Sequence, residues 1–132
     1  MANPAKFTVT RLVANDMVPQ PMGDDIDSDG VVPVDAADLD GATGRLLFLV
    51  VNTDPLFKPL DVTVESGDNP PAVCESLGPH TERLGPGSAG LFGPYESARF
   101  MRGDGSLRVA FATVGGTAAS ASVRVYLLPK AV

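Results

Sequence analysis

Few side chains in this chain are of a type that does chemistry, and their spacing decides how far each can be taken. Asp25-Ile-Asp-Ser-Asp-Gly30 places carboxylates at alternate positions before a glycine. That is the first half of a calcium loop, where oxygens converge on a cation and the glycine permits a sharp turn. The twelfth position, which should hold a bidentate glutamate, is Ala36, and no helices flank the loop. Asp25, Asp27 and Asp29 are thus a candidate calcium set short of a ligand, and a hydrated acidic loop explains them equally simply. His80, the single histidine, lies six residues from Cys74, the single cysteine. A thiolate–imidazole pair needs both side chains held together, whereas Gly78-Pro79 between them implies an irregular loop. Arg102-Gly-Asp104 spells a tripeptide read by some adhesion receptors, but its Gly-Asp-Gly portion is already accounted for as a turn. Gly85-Pro-Gly-Ser-Ala-Gly90 contains proline and precedes no helix, so it is no phosphate cradle. The close carboxylates all sit in the aspartate loop, where nothing apolar would raise a pKa for general-acid work. These residues nominate no catalytic group and no cofactor.

Composition narrows the class. At 132 residues with 44% apolar content, the chain has single-domain length and can bury a core without disulfide or metal staples. Fourteen glycines and 12 prolines favour short elements joined by tight turns. One cysteine excludes an intramolecular disulfide framework. The N-terminus has neither the charge nor the apolar run of a signal peptide, and no stretch approaches a membrane span, so cytoplasmic synthesis and no membrane partner are expected. The net charge of −6 is unevenly spread: residues 1–40 carry eight aspartates against Lys6 and Arg11, and the remainder balances. An acidic surface without a basic stripe argues against nucleic acid.

The elements that would position these residues are strands. Leu46-Leu-Phe-Leu-Val-Val51, closed by Asn52-Thr-Asp-Pro55, is a short apolar run that predicts a strand covered on both faces. Leu60-Asp-Val-Thr-Val-Glu65 alternates, predicting a strand with one wet side. Further strands are expected at 7–13, 31–34 (an edge, because of Pro33), 97–101, 107–113 and 121–128, with less regular segments at 73–77 and 89–95. A helix at 35–40 would be barely one turn. Residues 15–44 otherwise read as an acidic, Pro/Gly-rich loop or arm. The pattern predicts an all-β fold, an antiparallel β-sandwich of seven or eight short strands of Greek-key type, as one domain over 1–132. Phe48, Val50, Val62, Val64, Phe100, Val109, Phe111, Val123 and Val125 should form its core.

The order of segments from Val50-Val-Asn52 through Val62-Thr-Val64, Leu91-Phe-Gly-Pro-Tyr95, Arg99-Phe100 and Asp104-Gly-Ser-Leu107 to Leu127-Leu-Pro129 resembles small structural proteins of tailed bacteriophages. These are head decoration, cement or minor capsid proteins built on a β-sandwich. The similarity spans about residues 41–130, and the acidic stretch 24–40 departs from it. It implies a non-enzymatic virion component on the capsid exterior, assembled in the host cytoplasm. Its partners would be the major capsid protein and itself, as a homotrimer. Contacts would come from Leu56, Phe57 and Pro59 in one apolar loop and from Leu84, Leu91, Phe92 and Tyr95 in another. The alternative is a carbohydrate- or receptor-binding β-sandwich module, with calcium as an aid. The absence of tryptophan and the presence of only two tyrosines weigh against a sugar platform.

Overall fold

The computed structural model describes residues 3–13, 15–39, 44–54, 58–67, 79–95, 100–114 and 119–129. Among the described residues nine strands form two sheets packed face to face: β1 (Val9–Arg11), β2 (Asp24–Ile26), β3 (Gly30–Val34), β4 (Leu46–Asn52), β5 (Leu60–Val64), β6 (His80–Leu84), β7 (Ala89–Phe92), β8 (Leu107–Thr113) and β9 (Ala121–Leu127). Sheet A runs β1-β9-β4-β7, with β2 pairing β9 on the same edge as β1. Sheet B runs β3-β8-β5-β6. All pairings are antiparallel except β1 with β9. With β2 taken as the first strand, the order β2-β9-β4-β7 over β3-β8-β5-β6 is that of an eight-stranded jelly roll, two Greek keys wrapped into a sandwich.

The core sits where the two inner faces meet. All nine residues expected there are buried, together with Phe7, Ile26, Leu46, Leu60 and Leu107. Phe7 stacks edge-on against Phe48 of sheet A and Phe111 of sheet B, so one ring bridges the layers. The backbone brings it there: the Phe7 amide donates to the Pro33 carbonyl, which an edge proline leaves free to face outward.

Several expectations change. β4 is not covered on both faces. It alternates buried and half-buried, so Leu47, Leu49 and Val51 line the outside of sheet A. From Asp24 onward the 15–44 stretch is no arm. It supplies β2, β3 and a one-turn 3-10 helix at Ala36–Asp38, and buries Ile26, Val32, Val34 and Leu39. Phe100 and Met101 are not in a strand, while the turn after them is closed by Gly105 N–H to the Arg102 carbonyl at 2.9 Å. The expected segment at 73–77 lies outside the described residues. β6, the polar run His80-Thr-Glu-Arg-Leu84, is a strand that alternation did not reveal.

Candidate functional site

Three surfaces of the sandwich could hold something, and each follows from strand register. The first is the outside of sheet A. β9 pairs with β4 so that Leu47 sits beside Tyr126, Leu49 beside Arg124 and Val51 beside Ser122. On the other side, β4 pairs with β7, setting Leu91 next to Leu49 and Ala89 next to Val51. The result is a half-exposed apolar band crossed by one cation. Arg124 is held in place by its Nε, which donates to the Pro21 carbonyl at 2.9 Å. Leu91 is the most open member at 74% exposure. Nearby, Gly23 has φ +89 and its α-carbon packs so close to β9 that a Cβ would lie 3.0 Å from the Val123 carbonyl oxygen. That close approach lets the loop before β2 run against the strand.

The second surface is a cleft of about 320 Å³ between the edges of β6 and β7. Register puts His80 and Glu82 on the core-facing side of β6, opposite Val64 and Val62, yet they remain open to solvent. The His80 Nε2 lies 2.8 Å from Glu82 Oε1. The Tyr95 ring meets the imidazole edge-on at 6.3 Å. Burial, with the Glu82 carboxylate nearby, pushes the Tyr95 phenol well above its ordinary range. Tyr95 reaches this position because the chain turns at Gly93, where φ is +113 and any Cβ would overlap the Leu46 carbonyl oxygen. Asn52, at the end of β4, braces the floor. Its Nδ2 donates to the carbonyls of Lys58, Leu84 and Gly85 at 2.9–3.3 Å, and its Oδ1 accepts from the Asp54 amide. A buried amide with its groups satisfied fixes three chain segments at one point.

The third is a bowl of about 520 Å³ at the β3–β8 edge, lined in part by Lys6, Asp35, Asp104 and Arg108. Its charges answer one another. Lys6 Nζ lies 3.4 Å from Asp35 and 3.9 Å from Asp38. Asp104 Oδ1 accepts from both the amide and the hydroxyl of Ser106, which holds its carboxyl below the usual range. That arrangement closes a turn.

The residues expected to act are dispersed. Asp25 is exposed on β2, in register with Ser122, whereas Asp29 Oδ1 accepts from the Thr113 amide at the end of β8. Asn3 Oδ1 accepts from the amides of Asp27 and Ser28 and stiffens the turn between them. Among the described residues no group of three His, Cys, Asp or Glu side chains could hold a metal ion, which removes Asp25, Asp27 and Asp29 as a calcium set there. Of the expected contact residues, Leu84, Phe92 and Tyr95 turn into the core, because each falls at an inward position of its strand or turn. They shape the cleft from below instead of offering an exposed side chain. Leu91 points outward, Pro59 is half-buried, and Leu56 and Phe57 lie outside the described residues. Cys74 does too, so His80 has a carboxylate as its described partner. Alternation could not have found Leu47, Leu49 and Val51, since an unbroken apolar run hides which members face out. No helix among the described residues is long and apolar enough to cross a membrane. Compared with known proteins, the chain matches no family model, no curated protein and no solved structure.

Proposed function

We propose that this chain is a non-enzymatic virion structural protein. It decorates the outside of a capsid lattice and seats itself by the outer face of sheet A. The observation that carries the reading is the apolar band of Leu47, Leu49, Val51, Leu91 and Tyr126 along the outer face of sheet A. Contiguous apolar surface of this kind marks a place where a partner excludes water. The jelly-roll strand order is shared by viral capsid domains and by lectins, which is support at the level of fold alone. The segment order, which resembles that of phage head decoration proteins, supports the same class. A net charge of −6 suits an exterior position better than one against packaged DNA. The partner is the major capsid protein, and repeated weak seats around a threefold position, with the chain as a homotrimer, gain strength from multivalency.

The test adds purified protein to particles lacking it and counts bound copies. Saturation at a fixed number per particle, with greater resistance to heat, is the expected result. Saturable binding to a glycan or to host cells, with none to capsids, would replace this reading by the carbohydrate- or receptor-binding module. Of the described aromatic rings, Tyr126 alone is not buried, so such a module would have little platform for a sugar.

A further inference from the structure

We infer that the β6–β7 cleft is an acceptor for one extended peptide strand of a partner protein, which pairs with β7 and adds an edge strand to sheet A. The inference is independent of the capsid reading. It begins with the hydrogen-bond phase of β7. The Asn52 amide donates to the Ser88 carbonyl at 2.9 Å, so the even-numbered residues of β7, Gly90 and Phe92, exchange bonds with β4. Ala89 and Leu91 therefore turn their N–H and C=O groups the other way, to the outer edge of the last strand in this sheet. The edge Ala-Gly-Leu-Phe carries no charge and no proline, the devices by which sheets usually refuse a new strand. β6, the edge of the other sheet, has both Glu82 and Arg83.

The second observation is that two core-facing positions of β6 are left uncovered. His80 and Glu82 point to the core side of β6 but remain 41% and 58% exposed at their side chains. A strand laid against β7 would occupy the cleft and roof these two residues. At Gly90 the Leu84 and Phe92 side chains close in on the backbone, so that a Cβ there would lie 3.0–3.1 Å from them, and they form the floor on which the added strand would rest.

Charge then selects the occupant. Arg83, which also borders the cleft, is engaged bidentately by Asp61, and Glu82, hydrogen-bonded to His80, is the one acidic group among the lining residues. A second copy docked edge to edge about a dyad would bring Glu82 against Glu82, which disfavours self-pairing. The strand that fits alternates: apolar side chains on the outer side, beside Leu91 and Ala89, and lysine or arginine on the inner side. The aliphatic stem of that cation would lie on Leu84 and its head on Glu82.

The probe is acetyl-Val-Lys-Val-Lys-Val-amide, titrated into the full chain labelled with ¹⁵N. Saturable shifts centred on the Ala89 and Leu91 amides are expected. Leu91→Pro removes an outward-facing N–H together with the leucine side chain beside the bound strand, at an edge that tolerates proline, and should abolish them. Should that variant fold poorly, the wild-type chain decides: N-methylation of the peptide's valines, whose amides would face β7, should end binding, whereas N-methylation of its lysines should not. Glu82→Gln should weaken the lysine peptide about fivefold, the scale of one exposed ion pair, and leave a threonine-for-lysine peptide unchanged. Absence of saturable shifts at β7, or equal binding of the valine-methylated peptide, would overturn the inference.

Discussion

On the outside of sheet A, Leu47, Leu49 and Val51 stand in line beside Leu91 and Tyr126, whereas the β5–β6 half of sheet B turns out Asp61, Thr63, Thr81 and Arg83. The polar face is finished internally. Thr63 and Thr81 share a hydroxyl–hydroxyl bond of 2.9 Å across the strands, and Arg83 clasps Asp61 through two nitrogens at 2.8 and 3.1 Å. Such cross-strand pairs stabilise a sheet that faces water on one side. The apolar face has no comparable closure, only Arg124 tethered to a loop carbonyl. Both faces cover the same core, so folding does not explain their difference.

The largest expected effect sets the scale against which either face is judged. Phe111→Ala removes a buried ring that meets Phe7 edge-on between the sheets and should cost about 3–5 kcal/mol. It does so whichever face binds a partner. Chemical denaturation measures it, and an unchanged midpoint would mean that the core does not lie where the register puts it.

The next variants separate the faces directly. Leu49→Thr combined with Leu91→Thr keeps strand propensity and should change stability by only about 1 kcal/mol. Binding to particles should nevertheless fall at least roughly tenfold, equivalent to about 1.4 kcal/mol. Thr63→Ala, at the matching place on sheet B, should leave particle binding unaltered. If the two faces respond alike in a copy-number assay, the apolar band is not the seat.

How much of this contrast could be read beforehand depends on how each strand signals itself. β5 alternates in type, so both its inward set (Leu60, Val62, Val64) and its wet side were legible. β8 and β9 were legible for the same reason, and Phe48 and Val50 by their place in an apolar run. The same run concealed the wet side of β4, because Leu47 and Leu49 are chemically indistinguishable from Leu46 and Phe48 in hydropathy. β6 was illegible for the opposite reason. His80 and Glu82 occupy core-facing positions that are not covered, so no apolar period exists to detect. β2 is only Asp24-Asp-Ile26, an acidic triplet held by pairing with β9 and by Thr8, whose amide donates to Asp24 Oδ2 at 2.7 Å. Tertiary pairing overrides local propensity there. The cleft and the apolar face, the two places for which a partner is proposed, were therefore the least visible of these parts.

A smaller effect belongs to the polar face alone. The Arg83 guanidinium beside Asp61 holds its carboxyl below the usual range, first by hydrogen bonding and then by charge. The folded chain thus binds that proton less tightly than the unfolded chain does. The resulting stability is complete above the ordinary carboxylate range near pH ~4 and is lost as the pH falls through the lowered value. Asp61→Asn should remove this contribution to the acid limb of a stability profile. Because the pair is exposed, the loss at neutral pH should be only about 0.2–1 kcal/mol, and salt should shrink it. An equal loss for Asp61→Asn in high salt would show packing, not charge, to be the cause.

The smallest effect expected is none, at the seam between the two sheets. The turn from β2 to β3 passes from sheet A to sheet B, and its aspartates are the residues a calcium ion would have to gather. Asp25 is exposed on β2, but Asp29 is turned away to accept from the Thr113 amide on β8 at 3.2 Å. Between them, Asn3 does by hydrogen bonding what a cation does in a calcium loop. Its Oδ1 takes the amides of Asp27 and Ser28, at 2.8 and 3.1 Å, and its Nδ2 donates to the Ser28 carbonyl at 2.9 Å. The turn is thereby fixed by a neutral amide, and a chelator should leave the thermal midpoint unmoved. Asn3→Ala should lower that midpoint instead, since buried or half-buried backbone amides then lose their acceptor, at about 1–3 kcal/mol. A midpoint that rises by many degrees with added calcium, and falls back with chelator, would show that the aspartates can converge after all and that the two faces are clamped by metal at this seam.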